Sequence, residues 1–541
     1  FEGACVAACA SGTRCGGGCC ETGQVCLSNA CVAPGKACGD SFDCEETEFC
    51  EPTLSKCLPQ PTGANACEYR PPTLPLAPKV EWSWTGSTIL PTYDQVIAMP
   101  VVLDTDKDGI PEVFVVTSDN TMPNGFPQNG RGVLRRLDGR TGAELWTDPT
   151  LDVYTNLVNP RATAAAADLE GDGKIAIVVG RSGGGLLAFN TDGSLRWRTT
   201  LGDGGAYNNT FGSNNSVTVA IADMNNDGKA EIVAGSCIFD SKGVLVRCLG
   251  PNNRGGSNAD QYGPVSIIAD LDGDDSTTDQ HLVTGNAVYR LDGSTVWALT
   301  AAEFPDGYPA VADLDRDGTP ELVVVSRSNL RVHNALTGAL LARFYLTAAG
   351  QSDGSNFGGP PTIADFDGDG RMDIATAGGY GYFVFGYDAM KPAWSGGYGD
   401  GGPLGVLDAG AGPSTTGRLL LKWFKTTQDI SSNVTGSSVF DFEGDGKAEV
   451  VYQDECHARV YRGTDGETLY EVPNSSATIF EYPVLVDVDG DNNTEFVVVA
   501  NDYMHKLGSP KCYQDAGDAG AAMLRHGVFV YGDANDKWVR T

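Results

Sequence analysis

A short apolar run ending in aspartate recurs along the chain, as "PVVLD", "VAIAD", "SIIAD", "PAVAD", "PTIAD", "SSVFD" and "PVLVD", and an acidic loop follows each time. The first aspartates are Asp104, Asp168, Asp223, Asp270, Asp313, Asp365, Asp441 and Asp487, eight copies 43 to 76 residues apart. A β-branched run such as "EVFVV", "ELVVV" or "EFVVV" comes after the loop. Later in the unit a second strand pair surrounds an Asp-Gly-like turn, as in "LLAFNTDGSLRW" and "AVYRLDGSTVWAL", which is a hairpin signal. The unit is therefore four antiparallel strands, A to D, with the acidic loop joining A to B. Four-strand units repeated at such intervals predict an all-β fold, an eight-bladed β-propeller over residues 80–541, with seven blades as the alternative. Ring closure stays open, because "VEWSWTG" at 80–86 and "KWVRT" at the C-terminus compete for the last strand.

The acidic loops have an internal spacing. In "DFDGDGRMD", Asp365, Asp367, Asp369 and Asp373 occupy positions one, three, five and nine, and Gly370 position six. Carboxylates this close repel unless a cation neutralises them. Glycine at six permits a positive φ, and hard oxygen donors in this number suit Ca²⁺, with the carbonyl at position seven as a further ligand. An EF-hand would need Glu at position twelve and flanking helices, whereas here strand residues begin at position ten. A solvated Asp-Gly turn explains one such loop as well as an ion does; eight at equivalent positions favour the ion.

These loops, together with "NFGGPPTIADFDGDGRMDIATAG" at 356–378, resemble the FG-GAP or VCBS repeat of the integrin α-subunit propeller and of many bacterial extracellular proteins. The resemblance covers roughly residues 80–541. It implies a calcium-stabilised propeller, usually non-enzymatic, used in adhesion or recognition. Carried over loop by loop, it assigns metal ligands to Asp104, Asp106, Asp108, Ile110 and Glu112, and to Asp223, Asn225, Asp227, Lys229 and Glu231. It does the same for Asp313, Asp315, Asp317, Thr319 and Glu321, and for Asp365, Asp367, Asp369, Arg371 and Asp373. The last two sets are Asp441, Glu443, Asp445, Lys447 and Glu449, and Asp487, Asp489, Asp491, Asn493 and Glu495, where Asn492 replaces the glycine. Ile110, Lys229, Thr319, Arg371, Lys447 and Asn493 enter through backbone carbonyls only. Two loops depart: Asp168, Glu170 and Asp172 meet Ala176 at position nine, and Asp270, Asp272 and Asp274 are followed by an insertion that puts His281 there. About six Ca²⁺ sites are expected, the other two loops being weak or empty, and the ions are expected to be structural.

Residues 1–67 differ in kind. Twelve of the sixteen cysteines lie between Cys5 and Cys67, too dense for free thiols and normal for a disulfide scaffold with little core of its own. Seven fall in Cys5–Cys31 and five in Cys38–Cys67, so full oxidation requires at least one bridge between the two groups. Zinc at Cys19 and Cys20 is disfavoured by their adjacency and by the absence of histidine in the segment. Residues 68–79 form a Pro-rich linker. Cys237 and Cys248 flank a hairpin and are expected to bridge neighbouring strands, and Cys456 and Cys512 to tie adjacent blades. With a chain that starts at Phe1 without Met, these cysteines suggest a mature secreted or surface-displayed form.

A formal charge of −33 repels nucleic acid and anionic lipid, and no apolar run is long enough to span a membrane. The five histidines show no metal-ligand spacing, and no nucleophile elbow, P-loop or dinucleotide fingerprint occurs. Trp146, Trp197 and Trp297 follow the Asp-Gly turn, a feature shared with quinone-dependent dehydrogenase propellers, but at repeat-equivalent positions such residues are more often blade-packing ones. Insertions at 117–131, 201–215, 249–263 and 501–526 fall on the face away from the acidic loops and carry Phe126, Tyr207, Phe211, Tyr262, Tyr503 and Tyr513; a fifth, 391–420, joins C to D on the loop side. The expected role is adhesion, matrix assembly or partner recognition rather than catalysis. Partners would be an extracellular protein or glycan, or copies of the chain itself. The alternatives are a self-assembling structural protein and a carbohydrate-active or quinone-dependent enzyme.

Overall fold

The computed structural model describes residues 14–15, 18–27, 30–37, 48–51, 54, 56–59, 76–119, 131–147, 157–211, 216–250, 255–258, 262–273, 280–346, 358–379, 381–390, 417–429, 432–491, 493–504, 512 and 526–533. The chain divides into two compact units, 1–71 and 72–541. In the first, short hairpins pair Val25–Leu27 with Ala30–Val32 and Glu48–Glu51 with Lys56–Pro59. Disulfides join Cys15 to Cys26 and Cys20 to Cys31, and Cys19 and Cys57 are also oxidised. The zinc alternative is thereby removed, since Cys19 and Cys20 hold disulfides.

The second unit is an eight-bladed propeller of antiparallel sheets. Blade 1 runs Val101–Leu103, Glu112–Asp119, Gly132–Asp138 and Glu144–Thr147, with an extra strand, Tyr93–Val96, also paired to its strand B. Blades 2 to 4 have strand A at Ala165–Asp168, Val219–Ala222 and Ile267–Ala269, and strand D at Leu195–Arg198, Leu245–Cys248 and Thr295–Ala298. Blade 5 runs Tyr308–Ala312, Glu321–Ser326, Asn329–Asn334 and Leu340–Tyr345, and blade 6 Thr362–Ala364, Asp373–Gly378, Gly381–Asp388 and Arg418–Thr426. Blade 7 runs Ser437–Phe440, Glu449–Gln453, His457–Tyr461 and Thr468–Pro473. Blade 8 takes Val484–Val486, Glu495–Ala500 and Gly527–Asp533 from the C-terminal part and Pro78–Trp84 as its strand D. The ring thus closes with "VEWSW"; "KWVRT" lies outside the described residues.

The B strands are buried on both faces, as Glu112–Asp119, Glu321–Ser326 and Glu495–Ala500 are at every residue, which is why they read as unbroken apolar runs rather than alternating ones. The A strands are half-buried and neighbour one another around the axis, with bridges between Thr163 and Thr218 and between Ala98 and Phe480. Blades are fastened to one another by tryptophans of strand D. Trp82, Trp146, Trp297 and Trp423 donate their indole N–H to carbonyls of Gly139, Thr191, Ala335 and Gly463 in the next blade, at 2.6, 2.7, 2.7 and 2.5 Å. At Gly142, φ is +67° and an added Cβ would stand 2.3 Å from the Trp82 ring, so only glycine accommodates this seam between blades 8 and 1.

Each C–D pair carries a β-bulge at the same place. One residue of strand D is left over there: Leu145, Arg196, Val246, Val296, Leu341, Lys422, Leu469 and Glu81 in blades 1 to 8.

Both expected bridges of the propeller are present. Cys237 and Cys248 join neighbouring strands of blade 3, and Cys456 of blade 7 joins Cys512 in the B–C insertion of blade 8. No helix among the described residues is long and apolar enough to cross a membrane.

Candidate metal centres

The acidic loops fold into one repeated turn. The carboxylate at position one accepts backbone N–H groups ahead of it: Asp365 takes those of Gly368, Asp369 and Gly370 at 2.7, 3.2 and 2.7 Å. Position five accepts the N–H of position seven, as Asp108 does from Ile110 and Asp317 from Thr319. The acid at nine reaches back to the N–H of position two, from Glu112 to Thr105, Glu231 to Met224, Glu321 to Leu314, Asp373 to Phe366, Glu449 to Phe442 and Glu495 to Val488. The closing acid therefore ties strand B to the turn, and the shorter Asp373 makes the longest of these bonds, 3.4 Å.

Position four, which the sequence reading passed over, lies in the left-handed region in all eight loops. Lys107, Asn226 and Arg316 have φ of 63°, 58° and 62°, and the other five are glycines. The glycines were the available signal. A positive φ at a Lys or Arg is strain held in place by the surrounding turn. Asn492 lies outside the described residues.

Carboxylate oxygens converge within 4.8 Å in Asp104, Asp106 and Asp108, in Asp313, Asp315 and Glu321, in Asp365, Asp367 and Asp373, and in Asp441, Glu443 and Glu449. Such oxygen sets match the donors that Ca²⁺ takes. In the second loop Asp168 builds the same turn, but Ala176 supplies no closing acid and the buried Glu170 Oε1 has no hydrogen-bond partner among the described residues. In the fourth, His281 stands in the ladder opposite Ala269, where Glu231 stands opposite Ala222 in blade 3; Asp274 lies outside the described residues.

Burial, followed by the neighbouring carboxylates, pushes Glu321 up to about 7 and Glu495 up to about 9. Glu449 is raised by burial and then by Glu443, with which it shares a hydrogen bond, and Glu231 is raised mainly by burial. These four closing acids are buried carboxyl groups with no basic side chain on them among the described ion pairs, and burial favours their protonated form.

Blades 1 and 6 differ. Arg136 of strand C in blade 1 sets a guanidinium N–H 2.5 Å from Glu112 and 2.7 Å from Asp106. Lys422, the bulge residue of blade 6, sets its Nζ 2.6 Å from Asp367, 2.8 Å from Asp373 and 4.0 Å from Asp369. In blade 4, Arg290 stands 3.7 Å from Asp272. Neither Arg136 nor Lys422 was singled out from the sequence, because each comes from a strand whose register against the loop is known only once the bulge is placed.

On the opposite face, Tyr207 and Phe211 are buried and pack edge-on against Phe239, with ring centroids 5.1 and 6.2 Å away, so these insertion aromatics are core rather than recognition surface. Tyr262 and Tyr503 are part-exposed and pack against Ile97, Tyr308, Val434 and Phe480 from four blades, near the starts of the A strands. There the Tyr308 Oη and both amide atoms of Asn433 are buried without a hydrogen-bond partner among the described residues, and Asn433 has φ of 55°. Arg161 lies close to Tyr262 and Tyr503, and burial lowers it to about 10. Phe126 and Tyr513, and most of the insertion 391–420, lie outside the described residues.

Residues 168–234 and 313–376 match the family described as FG-GAP-like repeat. No curated protein matches the sequence. Among solved structures, the V. cholerae biofilm matrix protein Bap1 is similar over 86% of this chain and 92% of its own, at 21% identity and a TM-score of 0.59. A quinohemoprotein alcohol dehydrogenase from Pseudomonas putida HK5 covers 84% of this chain and 76% of its own, at 15% identity and a TM-score of 0.47. The rhamnogalacturonan lyase YesW covers 85% and 76%, at 16% identity and 0.48. At these identities the first likeness establishes the propeller fold.

Proposed function

Taking an eight-bladed propeller with FG-GAP-like repeats as the premise, we propose that the protein is a secreted or surface-displayed, calcium-stabilised recognition module without catalytic activity. It would bind an extracellular protein or glycan, or copies of itself, through the face away from the acidic loops. The observation that carries this reading is the placement of the loop carboxylates: each set is used within its own blade, with the closing acid bonded to the N–H of position two. An ion held there fixes strands A and B and leaves the long insertions of the other face to make contacts. The oxidised cysteines favour an extracellular setting. The fold neighbour titled a biofilm matrix protein favours assembly in a matrix over soluble signalling.

Against a quinone-dependent reading, Trp146 and Trp297 donate their indole N–H to the next blade, whereas the Trp197 indole N–H is buried without a partner among the described residues. The test is binding of the full chain to glycan arrays and to itself, by light scattering, in calcium and in chelator. Binding that needs calcium is expected. Turnover of a polysaccharide or a tightly bound redox cofactor would overturn the reading.

A further inference from the structure

Set in register, the eight blades show two positions at which a basic side chain of one blade enters its own loop between the carboxylates of positions three and nine. The residue that pairs with the strand D position just beyond the bulge is Ala188, Ile238, Val288, Val332, Val384, Val460 and Val530 in blades 2 to 8, all apolar, and Arg136 in blade 1. The bulge residue is apolar in blades 1, 3, 4, 5 and 7; it is Arg196 in blade 2, which donates to the Lys174 carbonyl, Glu81 in blade 8 and Lys422 in blade 6. Arg136 and Lys422 each put a positive charge between the carboxylates of positions three and nine of their own loop, where a bound cation would have to contact them.

Blade 6 also has the room for this. Gly386 lies beside Lys422, and a Cβ on it would stand 3.2 Å from the lysine Cε and 3.6 Å from an Asp373 oxygen. Blade 8 repeats the arrangement with opposite charge. Gly532 lies beside the bulge residue Glu81, and a Cβ there would fall within 2.1 Å of the Glu81 carboxylate, which stands near enough to help raise Glu495.

We infer that Arg136 and Lys422 are tethered cations that take the place of Ca²⁺ in the loops of blades 1 and 6, leaving four loops, those of blades 3, 5, 7 and 8, to bind the free ion. A side-chain cation on the same chain competes at an effective concentration that does not depend on calcium supply, and a single charge cannot match the divalent ion among four carboxylates but stands between two of them. Two blades would then keep their loops closed when calcium is scarce. The inference rests on the calcium reading above, and the experiment separates the two.

Calcium bound per chain is counted by native mass spectrometry and equilibrium dialysis on the full protein and on Arg136→Val and Lys422→Leu, each of which installs a residue that other blades carry at that position. Four ions are expected for the parent, five for each variant and six for the double variant. Six ions on the parent, or a count unchanged in both folded variants, would overturn the inference while leaving calcium binding intact. No ion on any of the four proteins would overturn the calcium reading as well. If a variant fails to fold, the parent's own count of four or six decides.

Discussion

The loops of blades 5 and 6 are neighbours in the ring and share the turn that begins at Asp313 and Asp365. Burial raises both closing acids, Glu321 to about 7 and Asp373 to about 6, but "DLDRDGTPE" leaves Glu321 without a basic partner among the described ion pairs, whereas "DFDGDGRMD" has Lys422 on Asp367 and Asp373. What separates them is the strand D bulge residue, Leu341 in one and Lys422 in the other, 49 residues beyond the loop's closing acid. The four acids of a loop create the demand for a positive charge, and a residue outside the motif decides whether the chain meets that demand itself.

Removing calcium breaks the comparison most severely. Each filled site stabilises the fold by about 2.7 kcal/mol at a hundredfold excess of ion over Kd, so chelation is expected to lower the melting temperature strongly, with blades 3, 5, 7 and 8 losing hydrogen-exchange protection before blades 1 and 6. Uniform loss around the ring would remove the distinction.

In chelator the stability should also depend on pH, more strongly than in calcium. Glu321 and Glu495 sit at about 7 and about 9 in the fold against an ordinary value near 4.5, so the folded state holds more protons than the unfolded one. Their stabilising contribution is complete below about 4.5 and is lost as pH rises through 7 and then 9. Thermal melts between pH 5 and 9 should fall more steeply with pH in chelator than in calcium, where buried Glu481 and Asp306, outside the loops, still titrate; equal slopes in the two conditions would contradict this.

The closing acids offer a sharper contrast. Glu321→Gln should cost about 2–3 kcal/mol in calcium and little in chelator, because what it loses is an ion. Asp373→Asn should cost about 1–3 kcal/mol in both, because what it loses is the partner of a half-buried lysine. Denaturant melts of both variants in both conditions check this, and identical calcium dependence would defeat it. A smaller and more local change is Glu81→Lys, which gives blade 8 the charge of blade 6; it should remove one calcium from the count and leave the others in place.

The repeat was legible because each blade writes its own A strand, loop and B strand within about twenty residues, where spacing and the periodicity of strands speak directly. The loop donors were legible for the same reason. Closure by Pro78–Trp84 was not, since it pairs strands from opposite ends of the chain and both termini offered an apolar candidate. The extra strand Tyr93–Val96 of blade 1 was missed because only its pairing to a neighbouring strand defines it. Lys422 was not legible because one bulge residue more or less turns a strand D side chain to the other face, and Arg136 because its place over the loop depends on the pairing of strand C with strand B. Tyr207 and Phe211 were misread as surface aromatics because their insertion folds back over the core of blade 3.

The most direct measurement is a crystal structure of the full chain grown in calcium, with data collected at a wavelength where the ion scatters anomalously. The account predicts anomalous peaks in the loops headed by Asp223, Asp313, Asp441 and Asp487, with the Arg136 and Lys422 side chains, and no peak, in the loops headed by Asp104 and Asp365. Peaks in those two loops with the basic side chains turned away would contradict it.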